Sequence, residues 1–157
     1  MRETFLQAMA SVATSVTVIS TSDPAGAHAT TVSAFASLSL NPPMVMFALD
    51  RNSELLARLQ RTRRVGVSIL AEGQSDVALA CARKGPDKLD HVPWENDHGL
   101  PRIRDALAFL VCDTVEEFPG GDHVIVTGRV VHVQVSADAN TPCVYFGRTF
   151  ASLGKAC

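Results

Sequence analysis

The chain lacks most of the features that mark the common nucleotide, metal and membrane proteins. Its formal net charge is -2 and its pI about 6.2, so it has no general attraction for nucleic acid or anionic membranes, and neither is expected as a partner. No apolar run approaches membrane-spanning length. Glu3, Gln7, Ser11, Thr14 and Ser15 break up the segment where a signal peptide would carry its apolar stretch, which predicts a soluble, cytoplasmic protein. Cys81, Cys112, Cys143 and Cys157 form no CxxC or zinc-ribbon pattern, and reduced thiols are expected. His91 and His98 sit in a loop rich in Pro, Gly and Asp at a spacing poorly suited to metal, so no metal is expected. Cys112, at the end of Ala108-Phe109-Leu110-Val111, reads as a buried, inert thiol. No GxGxxG follows a strand and no GxxxxGK[ST] occurs, which disfavours a Rossmann domain and a P-loop. Any nucleotide must be bound another way.

What is present is enough for one globular domain over residues 1–157: a chain of 157 residues, 46% hydrophobic and 19% charged, can bury a core. Its most informative stretch is Thr30-Thr31-Val32-Ser33-Ala34-Phe35-Ala36-Ser37-Leu38-Ser39-Leu40-Asn41-Pro42-Pro43, where small hydroxyl residues stand in place of bulk. Two readings of it stand. Hydroxyls and backbone amides could line a shallow groove for a flat, polar-edged ligand while Val32, Phe35 and Leu38 hold the segment to a core. Alternatively it is a Thr/Ser-rich edge strand with solvated hydroxyls, which composition alone favours.

The periodicities predict a mainly β protein. Thr4 caps a short helix with Phe5, Met9 and Val12 at helical spacing. Val16 to Thr21 alternate, and Asp23-Pro24-Ala25-Gly26 is a turn signal, so residues 15–35 read as a hairpin whose return arm is the Ser/Thr segment. Met44 to Leu49 is a buried strand; Ser53 caps a helix with Leu55, Leu56 and Leu59 inward; Val65 to Leu70 is another strand. A helix over 75–83 is stopped by Gly85-Pro86, and 84–102 is a long irregular connection. Residues 106–117 and 123–135 form an extended hairpin joined by Phe118-Pro119-Gly120-Gly121-Asp122, and Cys143 to Phe146 is a last strand. About seven strands with two or three short helices fit a closed or partly closed antiparallel barrel.

Four blocks, taken in order, carry a resemblance. Ala13-Thr14-Ser15-Val16-Thr17-Val18-Ile19, then Thr31 through Pro43, then Gly121-Asp122-His123, then Tyr145-Phe146-Gly147-Arg148-Thr149-Phe150 together resemble the short-chain flavin reductase family over nearly the whole chain. The resemblance implies a split antiparallel β-barrel of the FMN-binding type, Greek-key-like, forming a homodimer. It implies an NAD(P)H:flavin oxidoreductase that passes a hydride from NADH or NADPH to FMN or FAD. Reduced flavin would then diffuse to a partner flavin-dependent monooxygenase. Split-barrel proteins with other activities share the fold. A pyridoxamine phosphate oxidase-like enzyme, an electron carrier and a non-catalytic flavin-binding module are therefore the alternatives.

The resemblance also implies a site. Thr31, Val32, Ser33 and Ala34 would contact the isoalloxazine, largely through backbone groups, and Ser37, Leu38 and Ser39 would continue that wall. Asn52 and Ser53 stand at a predicted helix N-terminus, suited to a flavin phosphate; Ser53 also reads as an ordinary N-cap. Cys81, Ala82 and Lys88 fall in the segment Ala80 to Leu89, whose basic residues would face phosphate or adenine. His123 is the candidate for chemistry, against nicotinamide or flavin, its plain alternative being a strand-end histidine bonded to Asp122. Tyr145 and Arg148 match positions close to the flavin or nicotinamide. His28 is a further candidate, and His132, between Val131 and Val133, reads as solvent-facing. Two departures stand out: Arg148-Thr149-Phe150 replaces a family Arg-Arg pair, and Cys81 and Leu89 replace phenylalanines. They leave FMN versus FAD open.

Overall fold

In the computed structural model, which describes residues 1–138 and 141–153, alternation of small polar and apolar side chains builds a curled antiparallel sheet. Cys157 lies outside the described residues. The first hairpin is β2 (Thr17–Asp23) and β3 (Gly26–Val32), turning at Pro24 and Ala25 as the sequence predicts. Successive residues Val18 and Ile19 of β2 are both fully buried, one in each of two core clusters. Successive strand residues point to opposite faces, so β2 is covered on both sides.

The remaining strands of the main sheet are β4 (Phe35–Leu40), β5 (Pro43–Asp50), β6 (Arg64–Ile69), β9 (Ala108–Gly120) and β10 (His123–Val135), in the order β3-β2-β6-β9-β10-β5-β4. Thus β3 and β4, consecutive in the chain, are the two opposite edges. The link Ser33-Ala34 spans the gap between them: Ala48 on β5 donates its N–H to the Ala34 carbonyl at 3.0 Å, and Phe35 donates to Ser33 at 3.0 Å. The sheet therefore curls into a barrel that is split along β3. Close strand packing requires glycine at one point, because a Cβ on Gly66 would lie 2.7 Å from Ser20 Oγ and 2.9 Å from the Phe109 ring.

Helix α2 (Glu54–Thr62) closes one end of the barrel over Ile19, Phe47, Leu49 and Val67 with Leu55, Leu56 and Leu59, all buried. Its cap is the predicted one, Ser53 Oγ accepting from Leu56 N–H at 3.5 Å. Arg58 fastens α2 to the first hairpin, donating to Asp23 at 2.9 Å, to Glu54 at 2.7 Å and to the Gly26 carbonyl at 3.0 Å. Helix α3 (Ser75–Ala82) covers the other core cluster through Val77, Ala78 and Cys81. Cys112 is buried, and burial pushes its thiol up to about 12, in keeping with an inert role.

Several expectations need correction. Helix α1 (Arg2–Ala10) begins before Thr4, is capped at Met1 without a side-chain bond, and buries no residue. Phe5, Met9 and Val12 are exposed, since α1 is fastened at its C-terminal end, where Gly147 donates to the Ala10 carbonyl at 2.8 Å. The Ser/Thr segment is not one strand, because the chain must leave one sheet edge and join the other at Ser33-Ala34. Leu38, expected to hold it to a core, is 47% exposed. The connection 84–102 is irregular only in its first half. It ends in the hairpin β7 (Trp94–Asp97) and β8 (Leu100–Ile103), turned by His98 and Gly99, both at positive φ. Helix α3 stops at Ala82, ahead of Gly85, where Arg83 turns extended. Finally β11 (Cys143–Phe146) pairs both with β1 (Thr14–Ser15) and with an unforeseen β12 (Thr149–Ser152), turned by Gly147 at φ 60° and Arg148 at φ 63°. Twelve strands and three helices result among the described residues.

Candidate functional site

The split in the barrel opens a groove of about 630 Å³. One wall is β3 and its continuation, from His28 to Ala34; the facing wall is Ala48, Leu49 and Asp50 at the end of β5, followed by Asn52, Ser53 and Glu54 at the start of α2. Ala82, Arg83, Lys84, Gly85 and Lys88 form a third side, and His123 stands at the first position of β10. Because β3 pairs only with β2, one edge of its backbone faces this groove rather than another strand.

The hydroxyls are not all free for a ligand. Thr31 Oγ1 donates to the Ala78 carbonyl at 2.6 Å, tying β3 to α3. Thr30 Oγ1 donates to the Cys81 carbonyl at 3.5 Å and accepts from Lys88 Nζ at 3.3 Å. What β3 offers at the Ser33-Ala34 end is therefore mostly small size and backbone. Opposite, Ala48 and Leu49 carry no polar side-chain groups. This end suits the edge and face of a flat ring.

The other end is charged. Asp50 Oδ1 accepts from the Asn52 N–H at 2.7 Å, an Asx turn that delivers the chain to the Ser53 cap. First-turn N–H groups of α2 have no partner within the helix, which favours an anion here. Lys88, half-buried on the opposite side, has its pKa lowered chiefly by burial, and Arg83 and Lys84 stand at the rim. Glu54 is held below the usual carboxylate range, first by the hydrogen bond from Arg58. His28 is 2% exposed, and burial lowers its pKa below the ordinary 6.5. The charge of Glu54 opposes that shift, while Lys88 and Arg58 add to it.

His123 is placed by the tight β9–β10 turn, where it lies opposite Gly120 on β9 and Asp50 on β5. Its ring Nδ1 meets Asp122 Oδ1 at 2.8 Å, and the Asp122 backbone carbonyl accepts from Arg51 N–H at 3.0 Å. The hydrogen bond and charge of His123 hold the Asp122 carboxyl low. Groove position and Asp122 bond therefore coexist.

The known proteins that match bear on this arrangement. The flavin reductase like domain matches residues 9–154. An NADH-dependent flavin reductase of a Rhodococcus species is 34% identical over 94% of this chain and 84% of its own. The reductase component of 4-hydroxyphenylacetate 3-monooxygenase from Thermus thermophilus is 34% identical, covering 98% of this chain and 97% of its own. A Streptomyces globisporus NADH:FAD oxidoreductase, solved with NAD and FAD fragments, superposes with TM-score 0.92 at 27% identity over 98% of this chain and 93% of that one. The chain belongs to the flavin reductase-like family.

Among the residues that the family resemblance singles out, this flavin reductase-like chain gathers Thr31, Val32, Ser33, Ala34, Asn52, Ser53, Ala82, Lys88 and His123 around one groove. Others stand apart from it. Ser37, Leu38 and Ser39 lie on β4 and do not line the groove, with Ser37 and Leu38 exposed. Cys81 is buried in the core with its thiol pushed up to about 11, and meets the site only through its carbonyl and Thr30. Tyr145, on β11, packs its ring edge-on to Phe150 at 5.3 Å, and Arg148 sits in the following turn; neither lines the groove. Ala48, Leu49, Asp50 and Glu54 line it without having been singled out. Glu54 was hidden by its ordinary place in a helix first turn, four residues before Arg58. Ala48 and Leu49 read only as strand interior. Among the described residues, no helix is long and apolar enough to cross a membrane.

Proposed function

We propose that the protein transfers a hydride from NADH to FMN or FAD and releases the reduced flavin to a separate monooxygenase component. The observation that carries this reading is the two-ended groove: small residues and backbone at Ser33, Ala34 and Ala48, and an α2 N-terminus with Lys88, Arg83 and Lys84 at the other end. The donor set fits a flat ring with a phosphorylated tail. Relatives named as an NADH-dependent flavin reductase and as a monooxygenase reductase component support the same reaction and the same downstream consumer.

When bound, the flavin supplies the hydride acceptor. The protein's own part is placement: holding two rings at contact distance converts an encounter of two mobile molecules into a step within one complex. The Ser33-Ala34 link, fixed by the Ala48 hydrogen bond, keeps that wall in place. Backbone N–H groups along it favour negative charge on a reduced ring without moving. His123, oriented by Asp122 and lining the groove, would bond a ring edge through its other nitrogen. No general acid is needed for the hydride itself.

A homodimer completes this reading. Phe5, Leu6 and Met9 on α1, Val12 just beyond it and Phe146 on β11 are exposed apolar side chains that one chain leaves uncovered. A second copy would cover them and could bring its own Tyr145 and Arg148 to the groove. The test is consumption of NADH and NADPH by purified protein with no flavin, riboflavin, FMN or FAD. Saturable, flavin-dependent consumption supports the proposal; tight flavin binding with no consumption of either nucleotide overturns it.

A further inference from the structure

Arg58 does not line the groove, yet it is bonded to elements on two of its sides. Its side chain is only 10% exposed, and it joins α2 to both arms of the first hairpin. Nη1 donates to Asp23 Oδ1, at the end of β2, at 2.9 Å and to the Gly26 carbonyl, at the start of β3, at 3.0 Å. Nε and Nη2 both donate to Glu54 Oε1, at 3.1 Å and 2.7 Å. Asp23 is buried and is held in turn by Arg61 at 3.0 Å and by the Ala25 N–H at 2.9 Å. A planar guanidinium bonded on three sides has one orientation. It keeps the Glu54 carboxylate where it points back along α2.

Glu54 is the group that this arrangement controls. It lines the groove in the first turn of α2, at the end where Arg83, Lys84 and Lys88 otherwise make the lining positive. The other carboxylate of the lining, Asp50, is already engaged by the Asn52 N–H. A Glu54 carboxylate without its ion pair would be a negative charge beside the N–H groups of α2, opposing the anion those groups attract. Its charge already acts on Lys88 across the groove. Resting on the flavin reductase reading above, we propose that Arg58 is a positioning residue: by holding Glu54 Oε1 in an ion pair, it keeps that charge from opposing the tail of a phosphorylated flavin. Arg58 itself touches no ligand. Were Arg58 only a tether between α2 and the hairpin, its loss would loosen the groove for every flavin alike, and the charge of Glu54 would be irrelevant.

The test is flavin affinity, read by fluorescence titration with FMN and with riboflavin, beside a melting temperature for each variant. Arg58→Met should raise the Kd for FMN about tenfold while leaving riboflavin within about twofold, as one uncompensated charge near a phosphate requires. Adding Glu54→Gln to Arg58→Met should return the Kd for FMN to within about threefold of wild type, because the freed carboxylate, and not the missing guanidinium, is what repels. Equal weakening of both flavins, no change for FMN, or a double variant no better than Arg58→Met overturns the proposal. Arg58→Met also takes a partner from buried Asp23. Should it fail to fold, the same comparison is made in an Asp23→Asn background, where selective loss of FMN affinity repaired by Glu54→Gln is expected, and equal loss, no loss or no repair contradicts it. A wild-type protein that binds FMN no more tightly than riboflavin overturns this proposal alone; one that binds neither overturns the flavin reductase reading with it.

Discussion

The two ends of the groove are built by opposite means. At the Ser33-Ala34 end the side chains are small and the backbone is the working surface, fixed because the chain crosses from one sheet edge to the other and is caught by the Ala48 hydrogen bond. At the His28-Lys88 end the lining is charged and polar, with an imidazole on β3, an ammonium in the irregular segment after α3 and the N-terminus of α2. One end is shaped by what is omitted, the other by what is placed. A substitution at the first should act through volume and affect every flavin; at the second it should act through charge and affect only phosphorylated ones.

The largest effect is expected from volume. Ala34→Phe, which puts a ring into the groove at its narrowest chemistry, should cut flavin-dependent NADH consumption by about 100-fold with riboflavin and FMN alike, as displacement of a reacting ring does; steady-state rates with both flavins check it. His123→Ala should be milder, lowering turnover about tenfold with a smaller change in flavin Kd, visible as a kcat effect exceeding the KM effect. Ser53→Ala sharpens the comparison, because Ser53 caps α2 and also lines the charged end of the groove. It should cost about 1 kcal/mol of stability in denaturant melts and weaken FMN binding a few-fold, with riboflavin unaffected.

The smallest effect is a pH dependence. His28 is held neutral by burial, its folded pKa lying below the ordinary 6.5. The unfolded chain therefore binds the proton first as pH falls, and stability present above pH 6.5 is lost progressively below it. The melting temperature should drop between neutral and mildly acidic pH, and drop less in His28→Gln. An identical acid-side fall in both proteins would show that the ring titrates normally.

The fold was legible wherever burial obeyed one period. The β2–β3 and β9–β10 hairpins and the Ser53-capped helix with its inward leucines are where alternation or helical spacing places them. Legibility failed where a neighbouring element overrode local pattern. The apolar spacing of α1 predicts an inward face, but none of its residues is buried. The Ser/Thr stretch reads as one strand because nothing local marks the change of sheet edge at Ser33-Ala34. The β7–β8 hairpin was hidden by prolines and charges whose partners, such as Asp97 with Arg102 at 3.0 Å, lie within the hairpin itself. For the site, the family resemblance singled out Thr31 to Ala34, Asn52 and Ser53, whereas the groove position of Glu54 and the unsatisfied nitrogen of His28 depend on packing of α2 against β3. Such packing has no single-residue signature.

A crystal structure of the protein with FMN tests the account most directly. The account predicts the ring against Ser33-Ala34 and Ala48, near His123, with the phosphate between the α2 N-terminus and Lys88. FMN seated in the smaller depression lined by Glu72, Ser75, Cys143 and Phe150, or lying in the main groove with its ring at the Lys88 end, would contradict it.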